Sequence, residues 1–157
     1  MVIATIGLAS TMPAAAEDRM VLGPAQLEED KTGHAVLCVW GTYLSVQAET
    51  AACALPRRPV DDAIDQAIVE IDEFIIANSS LRPTRPMLED FKRRTIESEF
   101  DLLRQHGLEK VCPSRSLEAF RRLSPDKVKA AVTAILAVPR EPVVSPCLWS
   151  APTFAPG

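Results

Sequence analysis

The sequence predicts an all-α fold: a bundle of about four main helices, stabilised by disulfides and followed by a proline-rich C-terminal tail. Three observations carry this expectation. Apolar residues recur at three- and four-residue steps in four separate stretches, the period of an amphipathic helix. Thirteen prolines fall largely between or beyond those stretches and cut the chain into segments. Four cysteines lie far apart without any C-x-x-C pair, which in an exported chain reads as two bridges. A length of 157 residues fits one domain, and 47% hydrophobic with 24% charged residues is the balance of a globular chain rather than a disordered one.

The chain opens on an uncharged segment, residues 1–16. Its apolar run from Val2 to Ala9 is followed by Pro13 and by Ala14-Ala15-Ala16, and the first charges, Glu17, Asp18 and Arg19, come directly afterwards. This pattern predicts a secretory signal peptide cleaved between Ala16 and Glu17, although no basic residue precedes the run. It is shorter than the roughly 20 apolar residues a bilayer span needs. Residues 17–26 are expected to form a flexible leader, 27–138 the helical domain, and 139–157, with five prolines, an extended tail.

The first helix is expected from about 28 to 55, with Leu37, Trp40, Leu44, Ala48, Ala51 and Leu55 in step. A strand over Ala35–Val46 is the alternative, since that stretch is rich in β-branched and aromatic residues and contains Gly41. Pro56 and Pro59 then separate it from a second helix over Asp61–Asn78. There Ile64, Ala67, Ile68, Ile71, Phe74 and Ile75 share one face, and Asp61, Asp62 and Asp65 crowd the positive end of the helix dipole. A loop through Pro83 and Pro86 leads to a third helix, about 86–106, with Leu88, Phe91, Thr95, Ile96, Phe100, Leu102 and Leu103 in its stripe and Gly107 as its stop. Ser116–Leu123 reads as a short helix. Ser124-Pro125 then opens a last one, with serine as cap and proline at the first helical position, and Pro139 ends it.

This arrangement selects the cysteine pairing. On one continuous helix Cys38 and Cys53 stand about 22 Å apart along the axis, beyond the Cα separation of at most about 7 Å that a bridge tolerates. In an up-down-up-down bundle, Cys53 and Cys112 share one pole, while Cys147 returns to the other near Cys38. The expected bridges are Cys53–Cys112 and Cys38–Cys147.

Several function classes are excluded by what is missing. No two of the six glycines lie closer than eight residues, which removes G-x-G phosphate loops, the P-loop and the G-x-S-x-G elbow. A net charge of −4, and basic runs with little aromatic interleaving, argue against nucleic-acid binding. No second stretch is a candidate membrane span. No catalytic residue, resident metal or cofactor is assigned. The alternatives to a binding role are a hydrolase using carboxylates such as the Glu70/Glu73 or Glu97/Asp101 pairs, and metal handling by His34 with cysteine thiols, since His34 and Cys38 are spaced i, i+4. His106, before Gly107, reads as an ordinary helix-end residue. Asn78-Ser79-Ser80 matches the N-glycosylation acceptor pattern in an expected surface loop.

Charge is divided unevenly. Residues 17–80 carry four basic and twelve acidic groups, residues 81–157 thirteen basic and nine acidic. The favoured reading is internal complementarity, with Asp61, Asp65 and Asp72 facing basic segments. The other reading makes these three, with Lys92, Arg93 and Arg94, a surface for a charged protein partner. Lys92 and Glu99 fall within the apolar stripe of the third helix, where they must snorkel or pair with a neighbouring helix; a polar contact that sets helix register is expected there, with part of a ligand pocket as the alternative.

The run Cys38-x-x-Gly41, then Cys53-Ala-Leu-Pro56, an Asp-rich amphipathic helix and Cys112, is loosely similar to periplasmic immunity proteins that act against type VI amidase toxins. That likeness implies a small exported helical protein that blocks a toxin by binding it. The residues themselves lead to the coarser expectation of a small periplasmic or secreted helical protein that works by binding another protein.

Overall fold

In the computed structural model, residues 26–32 and 35–147 are described. The expected signal segment, most of the leader, His34 and the last ten residues lie outside them. Six helices follow in order: α1 (Val36–Ala52), α2 (Pro59–Asn78), α3 (Arg85–His106), the single turn α4 (Leu108–Val111), α5 (Arg115–Arg121) and α6 (Pro125–Leu136). Four are long, and among the described residues the only β pairing is an isolated bridge between Glu29 and Ser145.

Four of the helices carry a local start or stop signal. Pro59 opens α2, and Asp61 turns back to accept from the Arg58 backbone N–H at 2.7 Å. Gly107 ends α3 at φ 83°, a left-handed conformation that glycine adopts without a Cβ penalty. Ser114 caps α5 by accepting from Leu117 N–H at 3.0 Å, and Ser124 caps α6 by accepting from Lys127 N–H at 3.3 Å.

α1 departs from expectation at its start. It begins at Val36 rather than near 28, and the segment over Ala35–Val46 is helix, not strand. The chain before it pairs instead with a C-terminal strap. Asp30 N–H donates to Ser145 O at 2.7 Å, and Val144 N–H donates to Gln26 O at 2.9 Å. Leu37 N–H, one of the donors a helix start leaves open, donates to Val143 O at 3.1 Å. The strap therefore caps α1, which has no side-chain cap of its own. Pro142 and Val143 are buried, so this part of the proline-rich stretch belongs to the folded body.

The core lies along α1 and α2. α1 buries Val36, Leu37, Trp40, Tyr43, Leu44, Val46 and Ala48, nearly all round its circumference. α2 faces it with Ile64, Ile68, Ile71 and Ile75. α3 packs mainly on α1, and α6 mainly on α2, so these two flank the central pair. The disulfides tie the poles: Cys53–Cys112 with Cα atoms 5.5 Å apart, and Cys38–Cys147 at 5.3 Å. They close sequence separations of 59 and 109 residues. In the chain-entropy account, loops of this size contribute roughly 4 kcal/mol each by constraining the unfolded chain. Among the described residues no helix is long and apolar enough to cross a membrane.

Candidate functional site

The acidic and basic halves of the sequence meet inside the molecule at three buried ion pairs. Asp61, in the first turn of α2, accepts from Arg121 of α5 through both oxygens, at 3.2 Å from Nε and 3.0 Å from Nη2. Both residues are buried, and Arg121 also donates to the Pro56 carbonyl. Burial pushes the Asp61 carboxyl up, but the bonds from Arg121 and the Arg58 N–H, with the charge of Arg121, outweigh it and hold its pKa below the ordinary carboxylate value.

The second pair joins α2 to α3. Asp72, 1% exposed, accepts from Lys92 Nζ at 2.5 Å and from Trp40 Nε1 at 2.9 Å. The Trp40 ring stacks on Phe91, with centroids 5.3 Å apart. Lys92 reaches Glu89 as well, at 2.8 Å. Burial lowers the Lys92 pKa, yet the bonds to Asp72 and Glu89 prevail and raise it. This is the polar contact within the α3 stripe that the sequence led us to expect, and it links α1, α2 and α3 at one level.

The third pair anchors the strap. Arg140 Nε donates to Asp30 Oδ2 at 2.7 Å, and Thr32 donates to Asp30 Oδ1 through its backbone N–H at 2.7 Å and its hydroxyl at 2.5 Å. These bonds outweigh burial and depress the Asp30 pKa. Arg140 also lies over the Phe74 ring, 5.7 Å from its centroid.

Of the six charged residues singled out from the sequence, Asp61, Asp72 and Lys92 are thus occupied internally and not presented to solvent. Asp65 is half-buried and accepts from Gln47 Nε2 at 2.9 Å and from Arg57 at 2.7 Å. Arg93 and Arg94 are exposed on the outer face of α3. Arg93 pairs with Asp90 and Glu97, and Arg94 with Asp90, all within the same helix. The hydrogen bonds to Asp90 and Glu97 raise the Arg93 pKa. Sequence reasoning missed Arg121 as the partner of Asp61, Trp40 as a donor, and the Asp30–Arg140 pair. The Arg121-Arg122 run was visible as a basic segment, but nothing in its spacing says which arginine turns inward.

Two expectations need correction. All four cysteines are bonded, so no thiol is left for a metal, and metal handling through His34 and thiols loses its sulfur ligands. The Asn78-Ser79-Ser80 stretch is not an open loop. Asn78 is the last residue of α2 and its amide donates to Phe74 O at 2.8 Å, Ser79 is buried, and Ser80 donates to Glu141 through both its backbone N–H and its hydroxyl. The helical-spacing carboxylates are also paired at the surface: Glu73 with Arg85, Glu97 with Arg93, Asp101 with Arg104. Asp72, a buried carboxylate that meets the Trp40 ring, has both oxygens engaged.

No family model matches this chain, and neither a curated protein nor a solved structure does. The likeness to immunity proteins therefore stands on the quoted residues alone and is carried no further.

Proposed function

We propose that the mature chain is a small extracytoplasmic protein that works by binding another protein through the outward face of α3. One observation carries this reading. α3 is the longest helix, with 22 residues, yet it commits only Leu88 to the deep core. Its outer side presents Asp90, Arg93, Arg94, Glu97, Asp101 and Arg104, and ion pairs join these residues along the exposed surface of the helix. Exposed pairs of this kind add little to stability in water, so a partner's charges can replace them at little cost. The two disulfides support a place outside the reducing cytoplasm, as does the signal-like opening segment.

The test is affinity capture with the tagged full-length chain expressed in its own host, comparing the native sequence with an Arg93→Gln/Arg94→Gln variant. A protein retained in stoichiometric amount by the first and lost by the second, at an unchanged melting temperature, is the expected result. Equal retention by both would remove α3 as the binding face. Mass spectrometry of the purified chain should find Glu17 at its N-terminus.

A further inference from the structure

The two disulfides are attached to opposite ends of α1, and those ends differ electrically. Cys38 is the third residue of the helix and Cys53 is its C-cap. The helix dipole favours a thiolate in the first turn and disfavours one beside the last carbonyls. No acidic residue stands in the first turn of α1 to cancel the effect at Cys38, and no basic residue in its last turn relieves Cys53. Glu49, one turn before Cys53, adds a negative charge at that end. Of the two helix-borne sulfurs, Cys38 is therefore the better leaving group in thiol exchange.

Exposure separates the bridges in the same sense. Cys147 is exposed, whereas Cys38, Cys53 and Cys112 are half-buried. An incoming thiolate reaches Cys147 Sγ from solvent, and attack on that atom expels Cys38. The bridge also has a mechanical place of its own. The inner part of the strap is anchored by the Arg140–Asp30 pair and by buried Pro142 and Val143. Its outer part, residues 144–147, is held by the backbone bonds to Gln26 and Asp30 and by the bridge.

We infer that Cys38–Cys147 is an exchangeable latch on the outer strap, opened at Cys147 by the dithiol of a redox protein, while Cys53–Cys112 is a permanent brace. One thiolate of the dithiol attacks Cys147 Sγ and forms a mixed disulfide. The Cys38–Cys147 bond breaks, and its electron pair leaves on Cys38, which takes a proton from water. The second thiol of the dithiol then attacks its partner sulfur in the mixed disulfide and releases Cys147 as a thiol. Two electrons and two protons pass from the dithiol, which is oxidised, to the bridge, which is reduced.

Timed exposure of the folded full chain to dithiothreitol, followed by N-ethylmaleimide and peptide mapping, tests this. Cys38 and Cys147 should be alkylated at an initial rate at least about tenfold that of Cys53 and Cys112. A thioredoxin whose second active-site cysteine is replaced by serine should be trapped on Cys147 and not on Cys38. In a Cys38→Ser/Cys147→Ser variant, hydrogen exchange at the Asp30 amide, which donates to Ser145 O, should quicken several-fold, while the Leu37 amide, bonded to Val143 O, stays protected. Equal initial rates at the two bridges, faster opening of Cys53–Cys112, trapping on Cys38, or an unchanged Asp30 amide would overturn the proposal. The rates and the trap are read on the native chain, so they decide the matter even if the variant fails to fold.

Discussion

α1 and α3, of 17 and 22 residues, lie side by side, yet they answer to different physics. α1 is buried nearly all round, caps its start with the strap, and contributes Trp40 to the Asp72 pair. α3 rests on α1 along one stripe and turns a continuous row of charges outward. The difference appears most sharply at three consecutive residues. Lys92 points inward to Asp72, while Arg93 and Arg94 point outward to carboxylates of their own helix. Position on the helical wheel, not charge, decides whether a cation holds helices together or pairs at the surface.

The largest effects should come from leaving a buried carboxylate alone. Arg121→Ala strands Asp61 and is expected to cost about 3–5 kcal/mol in urea unfolding. It should also change the response to acid. Asp61 and Asp30 have depressed folded pKa values, so their contribution is present above the ordinary carboxylate range near pH 4 and is lost as pH falls through the lower folded values. Without Arg121 the Asp61 share of that loss disappears, and the variant should lose less stability than the native chain on acidification. An unchanged acid profile would mean that Asp61 does not depend on Arg121.

Truncating apolar residues should grade the two helices next. Leu44→Ala, at a fully buried position of α1, is expected to cost about 2–5 kcal/mol, and Leu103→Ala, half-buried on α3, distinctly less. Similar losses at the two sites would show that α3 is as deeply integrated as α1. The smallest of these effects has the opposite sign. A Cβ added at Gly41 meets no atom within 4 Å, so Gly41→Ala in the interior of α1 should stabilise the protein by about 0.5–1 kcal/mol. Destabilisation there would show that a neighbour moves closer than the static structure places it.

How far the sequence could be read follows the same division. α2 was the clearest element because one face is apolar and its first turn is acidic, and the structure begins it only two residues earlier, at Pro59. α3 was visible for the same reason, with Gly107 as its stop. α1 carries a weaker periodic signal because nearly every face is buried, which is why a strand remained an alternative over Ala35–Val46. Its start escapes a local reading because residues 26–32 bond to the strap more than a hundred residues away, and such a pairing leaves no local trace. Within the charged set, the stripe position of Lys92 announced an inward contact. That Asp61 chooses Arg121 and Asp30 chooses Arg140 depends on the packing of distant segments, so spacing could not reveal it.

The contrast between inward and outward cations is best tested by urea unfolding of Lys92→Ala beside the Arg93→Ala/Arg94→Ala pair. Removing Lys92 leaves Asp72 buried with only the Trp40 N–H, and a loss of about 3 kcal/mol or more is predicted. Removing both arginines, which are exposed, should leave the unfolding midpoint nearly unchanged. Equal losses, or a greater loss from the arginine pair, would contradict the account.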